Sequence, residues 1–283
     1  MRRTGAYQEA HDLLNRIIED SRLTADQLLL AKALHTAAVN DYFLYDAKDQ
    51  TRQQLEEAIA IMRVLNNEYE LANLLAWEAG LVLSTTGEIQ QALQWVEEGL
   101  QLSEKTRHYH AFCRNIFTKG HCLQRLHRYE EAVICYKQGI ESARELGDRQ
   151  ELSIGLASLG DAYNNMGQVD DAYPLWQEAL KLSYSTGHRD ALIVDHSNLA
   201  LYEIQKHNWA AAWDHLVKSL YYARLTEAPT RTWSALVTFV SWYFHFGEVS
   251  RSAEWIGFLQ EKALLQGDQL QLDEVSSHVR MAF

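Results

Sequence analysis

Leu159-Gly160-x-x-Tyr163-x-x-x-Gly167-x-Val169-x-x-Ala172-x-x-x-Trp176-x-x-Ala179 is the stretch that decides the fold. Apolar residues recur three and four apart on both sides of Gly167. Leu156, Leu159 and Tyr163 precede it, and Leu175, Trp176, Ala179 and Leu180 follow. That is the period of a helix with one buried stripe. Gly167 supplies the left-handed backbone that ends a helix. Gly160 lets two helices approach closely. Ala172 falls where the second helix crosses the first, and a large side chain there would push the pair apart. The stretch therefore reads as helix, turn, helix.

The same pattern returns along the chain at a constant step. Its copies are Gly87-Glu-Ile-Gln-Gln-Ala92, His127-Arg-Tyr-Glu-Glu-Ala132, Gly167-Gln-Val-Asp-Asp-Ala172, His207-Asn-Trp-Ala-Ala-Ala212 and Gly247-Glu-Val-Ser-Arg-Ser252. Seven residues before four of these starts stand Gly80, Gly120, Gly160 and Ala200, with Val240 before the fifth. Gly5-Ala-Tyr-Gln-Glu-Ala10 is an earlier copy of the turn, and a blurred copy ends at Ala58. A fixed period of this size is the mark of a repeat architecture, in which each helix pair buries its apolar face against its neighbours.

On these residues the unit resembles the tetratricopeptide consensus, with its Leu-Gly, Tyr, Gly, Ala, large aromatic and Ala. The match is strong at 160, fair at 120 and 80, weaker at 200 and 240, and poor near 40. The step is 40 rather than the family's usual 34. The closing proline is replaced by breaks such as Leu146-Gly147-Asp148, Thr186-Gly187-His188 and Gln266-Gly267-Asp268. This longer unit is similar to the repeats of signalling scaffolds and of the sensor regions of STAND-type ATPase regulators. The resemblance implies an all-α, right-handed superhelical solenoid of antiparallel helix pairs.

The periodicity predicts helices near 5–19, 25–45, 51–65, 69–85, 89–103, 109–126, 129–146, 151–166, 169–186, 189–206, 209–225, 229–246, 249–266 and 268–282. No linker interrupts them, so residues 1–283 read as a single solenoid. It starts on a second helix and ends on a first helix, which suggests a fragment of a longer chain. Its unfinished ends are expected to pack against another copy or against missing residues. The run from Trp255 to Gly267 resembles the closing segment of STAND-type regulators, without the prolines usual there.

Composition narrows the function. No apolar run reaches the roughly 18 residues of a membrane span, and no signal peptide is evident. The three cysteines, Cys113, Cys122 and Cys135, have no framework spacing and read as reduced thiols of a cytoplasmic protein. The formal net charge of −12 argues against direct nucleic-acid binding. The charge is uneven. Residues 105–149 hold 9 basic and 5 acidic side chains, whereas 1–104 hold 8 and 17, and 150–283 hold 9 and 16. A basic island thus sits between acidic flanks. No phosphate loop, zinc-protease or nucleophile-elbow motif occurs, so neither an enzyme nor a cofactor is expected.

His108, His110, Cys113, His121, Cys122, His127 and Cys135 cluster in the basic segment. Metal binding needs about four ligands on one point, and Cys113 and Cys122 lie nine residues apart, about 180° around a helix. Cys135 reads as a small buried apolar residue. Trp176, Tyr136, Tyr129 and Trp209 sit at core offsets.

The remaining lead is a polar stripe on the first helix of each pair, the face that tetratricopeptide proteins turn to their concave groove. Arg114, His121 and Arg125 fall within about 40° of one another. Trp77 and Phe117 offer an apolar wall, and Thr118 and Gln124 flank the stripe. Asp161, Asn164 and Asn165 follow in the next unit, then Ser197, Asn198 and Gln205, then Ser241 and His245. The expected partner is a protein, a peptide or a small acidic effector in this groove. His121, if charged, should make affinity fall as pH passes about 6.5. The expected function is a non-catalytic sensor region of a larger STAND-type regulator, with a stand-alone peptide receptor or scaffold as the alternative.

Overall fold

The structure, a computed structural model, describes residues 2–45, 48–85 and 88–226, with isolated positions at 236, 238, 239 and 242. Among the described residues there are eleven α-helices and no strand. They are α1 Arg2–Thr24, α2 Gln27–Tyr45, α3 Lys48–Val64, α4 Glu68–Thr85, α5 Ile89–Thr106, α6 Tyr109–Arg125, α7 Tyr129–Leu146, α8 Arg149–Asn165, α9 Val169–Thr186, α10 Arg189–Gln205 and α11 Trp209–Thr226. Only α1 is much longer than expected. The three helices expected after 229 lie outside the described residues, as do Ser241, His245 and the tail from Trp255. No described helix is long and apolar enough to cross a membrane.

The turns explain the regularity. At the turns that are described throughout, an N–H reaches back five residues to a helix carbonyl, from Asp26 to Ser21, Asn67 to Met62, and His108 to Ser103. Arg128, Asp148, Gln168, His188 and Asn208 do the same, evenly spaced from His108 onward. This 6→1 bond closes a helix and needs left-handed backbone just before the donor. His127, Gly147, Gly167, Gly187 and His207 all adopt it, as do Ala25, Asn66 and Arg107. The chain thus pairs helices of similar length whether the turn residue is glycine or not. Asp148 then caps α8, its Oδ1 accepting the N–H groups of Gln150 and Glu151 at 3.1 and 3.0 Å.

The chain forms two compact units, Met1–Ser142 and Ala143–Phe283. In unit 1, α1 to α6 pack in sequence and α4 also touches α6. Its core runs through Leu30, Leu34, Ala37, Leu55, Ala58, Met62, Leu74 and Leu75. In unit 2, α8 packs on α9 and α10, and α10 on α11. Arg22–Glu57 and Arg63–Glu98 link second helices of unit 1, and Arg144–Glu178 does so in unit 2. These pairs are exposed and add little to stability.

The small residues of the first helices have different reasons to be small. A Cβ on Gly120 would overlap the Tyr136 ring, and one on Gly160 would come within 2.5 Å of Trp176 Nε1. A Cβ on Gly80 would meet nothing within 4 Å, because Val96 stands where later units place Tyr136 and Trp176. Gly160→Ala should therefore destabilise by about 1–2 kcal/mol, whereas Gly80→Ala should stabilise by about 0.5–1 kcal/mol through helix propensity. Denaturant midpoints of the two variants check this opposite sign.

Candidate functional site

In unit 1, the first helices α2, α4 and α6 carry one continuous side-chain run. Arg114 on α6 donates to Asn73 Oδ1 on α4 at 3.0 Å, and its guanidinium lies 5.0 Å from the centre of the Trp77 ring. Trp77 in turn meets the edge of His35 on α2 at 6.1 Å. Arg114 and Trp77 are half-buried, so the cation rests on an aromatic face and is oriented by an amide. Burial pushes His35 down to about 4, and the Arg114 charge adds to this. The ring is neutral at physiological pH. Sequence reading missed His35 because the repeat is blurred there.

Two expected groove residues turn out otherwise. Phe117 is 3% exposed and its ring fills the space left by Gly139 on α7, so it belongs to the core and not to an apolar wall. His121 is half-buried against the Tyr136 ring at 5.5 Å. Burial pushes it down to about 4, with Arg125 adding to the shift. The pH dependence near 6.5 expected of His121 is thereby corrected: its titration is moved well below that range. Arg125 is exposed in the last turn of α6. Thr118 donates to the Arg114 carbonyl, and Gln124 accepts from the Tyr136 hydroxyl at 2.8 Å. The cysteines Cys113, Cys122 and Cys135 are buried free thiols.

In unit 2, the stripe ties α8 to α10. Asp161 Oδ1 accepts from Trp176 Nε1 on α9 at 3.0 Å and from Asn198 Nδ2 on α10 at 2.6 Å. At the end of α8, Asn164 Oδ1 accepts from Gln205 Nε2 at 3.5 Å. Asn165 beside it, the last residue of α8, is exposed. Ser197 faces inward instead, its hydroxyl 2.9 Å from that of Ser219. Burial pushes the Asp161 carboxyl up to about 7, although the Trp176 and Asn198 donors hold it down in part.

Three buried polar groups were not anticipated. Asp195 on α10 is sealed from solvent, and burial pushes it up to about 7, partly offset by the Ser183 hydroxyl and reinforced by Asp161. Glu78 on α4 is 0% exposed, has no hydrogen-bond partner for either oxygen among the described residues, and is also pushed up to about 7 by burial. The third is a ring chain through α9, α10 and α11. The Tyr184 hydroxyl lies 2.9 Å from His196 Nε2, and His196 Nδ1 lies 2.9 Å from His215 Nδ1. Burial pushes Tyr184 up to about 12 and His196 down to about 4, so both stay neutral near pH 7. A signal for these groups exists in the sequence. A lone Glu78 in Leu74-Leu-Ala-Trp-Glu-Ala79 and the adjacent Asp195-His196 after Leu192-Ile-Val194 interrupt apolar runs that leave no outward position for both.

A family model described as tetratricopeptide repeat matches residues 114–146, and one described as anaphase-promoting complex subunit 5 matches residues 1–84. No curated protein matches the chain. Several solved structures do. A Rap protein complexed with competence and sporulation factor gives a TM-score of 0.74 at 12% identity, over 90% of this chain and 70% of that one. Aspartyl phosphate phosphatase F from Bacillus subtilis gives 0.65 at 11%, over 93% and 72%. A STAND protein with a tetratricopeptide repeat sensor from Pyrococcus horikoshii gives 0.59 at 17%, over 97% of this chain and 47% of that one. At such identities the likeness is one of fold.

Proposed function

We propose that this tetratricopeptide-like repeat protein is a non-catalytic binding module. It holds a protein segment, a peptide or a small acidic effector on the face of its first helices, in signalling or regulation. The observation that carries the proposal is Arg114, oriented by Asn73 and resting on Trp77 across α4 and α6. A half-buried guanidinium fixed in this way has its ordering cost already met and can bind a carboxylate through charge-assisted bonds. Arg125 extends the cationic face toward the end of α6.

The proposed setting is the sensor region of a larger STAND-type regulator, supported by the likeness that covers 97% of this chain and 47% of the archaeal STAND protein. A self-contained peptide receptor is the second reading. It is favoured by the likeness to the Rap protein in complex with its factor, which spans 90% of this chain and 70% of that one.

An array of acidic peptides probed with the full chain tests the binding face. For the best binder, Arg114→Ala with Arg125→Ala should weaken affinity about tenfold or more, since a hydrogen bond to a charged group is worth about 1.5–3 kcal/mol. Unchanged affinity with circular dichroism intact would remove the face from consideration. The factor by which the double substitution weakens affinity should stay level between about pH 6 and 8, because His35 and His121 titrate near 4. A fall through pH 6.5 would place a charged histidine in the site.

A further inference from the structure

We propose that the Asp161 carboxylate of unit 2 is a receptor for a primary ammonium group, a lysine side chain or a free N-terminus of a bound peptide. The proposal rests on the binding-module reading and gives its second recognition element. Asp161 stands half-buried on the first-helix face of α8. Both of its hydrogen bonds go to one oxygen. Oδ1 takes the Trp176 indole N–H at 3.0 Å and the Asn198 amide at 2.6 Å, which fills its two lone pairs. The indole is 1% exposed and also donates to the Ala157 carbonyl at 3.3 Å, so the group that orients the carboxylate is itself immobile. Oδ2 accepts no hydrogen bond among the described residues and is not sealed from solvent. The result is a carboxylate with a fixed rotamer and one oxygen presented outward.

No cation meets its charge among the described residues. The two donors are neutral, its own charge acts on another acid, Asp195 on α10, and burial rather than a cation dominates its titration. A cation arriving at Oδ2 meets an anion already stripped of much of its water, where attraction is screened less than at the surface. The count of acceptors selects the kind of cation. A guanidinium fork is satisfied by two oxygens in one plane, and here one of the two is occupied. An ammonium is a compact point charge with three rotatable donors, and one oxygen suffices for it.

The indole N–H resonance of Trp176 reports on the site in the full chain, read at about pH 7.5, above the value of about 7 to which burial pushes Asp161, so that the carboxylate form predominates. The probes are acetyl-Ala-Lys-Ala-amide, its Nζ-acetylated form, the arginine analogue, and Ala-Ala-Ala-amide with a free N-terminus. The lysine peptide, the free-amine peptide or both should shift this resonance saturably, with affinity about tenfold above the acetylated peptide. Which of the two binds separates a side-chain ligand from a terminal one. The arginine peptide should bind more weakly than the better of them. Asp161→Asn keeps an oxygen for Trp176 and Asn198 and should lose the ammonium preference. Equal response to lysine and acetyl-lysine peptides overturns the proposal, as does arginine binding as tightly as lysine. If Asp161→Asn fails to fold, the acetylated and unacetylated pair decides on the unaltered chain. Loss of the ammonium preference leaves the Arg114 face untouched, and failure of the Arg114 face leaves the Trp176 readout intact.

Discussion

Ala172→Trp is expected to destabilise unit 2 by about 3 kcal/mol or more, the upper end of the overpacking range. Ala172 is 0% exposed and lies in the first turn of α9. Around it pack Trp176, Leu199, Tyr163, Val169, Tyr173, Leu180 and Tyr202, with aromatic rings already filling the joint between helices. Protein interiors hold almost no space for a second indole, so the added rings must separate α9 from the first helices. The equivalent residues Ala58, Ala92, Ala132 and Ala212 are also 0% exposed, so the constraint recurs in each unit. Glu178→Trp, on the exposed side of α9, is the control. Chemical denaturation of both variants decides the matter. Equal midpoints for Ala172→Trp and the unaltered chain would show that the repeat register is misassigned.

Glu78→Gln is expected to change how stability depends on pH. The carboxyl is buried without a hydrogen-bond partner and is pushed from its ordinary 4.5 to about 7 by burial first, then by the charge of Glu56, with Arg52 opposing. Between these values the unfolded chain has released the proton while the folded chain keeps it. Stability must therefore fall as pH rises from 4.5 to about 7, and stay level in this respect above that. A displacement of about 2.5 pH units at about 1.36 kcal/mol each gives roughly 3 kcal/mol. Glutamine has no proton to release. The variant should match the unaltered chain near pH 4 and exceed it by about 3 kcal/mol at pH 8, each read from urea unfolding. A difference independent of pH would mean that Glu78 is ionised inside the folded protein.

The second result bears on the binding face of unit 1. Glu78 lies one residue from Trp77, and the stripe of Arg114, Trp77 and His35 depends on α2, α4 and α6 keeping their spacing. Buried groups that titrate near neutrality give the scaffold a pH-dependent margin, whereas the face itself is built from neutral rings and a guanidinium that stays charged. Binding and stability are thereby separable in experiment.

The helix pairs are written in local features of the chain. Apolar residues three and four apart, an evenly repeated turn and an alanine at each crossing are legible from α2 to α11 without any coordinates. Even the left-handed turns at His127 and His207 are readable, because these residues align with Gly167. The repeat register also marks the face on which Arg114, Asp161 and Asn198 stand. What each polar residue does there is settled by packing. Phe117 turns inward because Gly139 on the next helix leaves room for its ring. His121 stays neutral because it lies buried beside Tyr136 and Arg125. Asp161 becomes a one-oxygen acceptor because Trp176 and Asn198, on the next two helices, both donate to the other oxygen. A helical period is set by neighbours within one turn, whereas burial, ionisation and hydrogen-bond partners are set by side chains that meet only when helices pack.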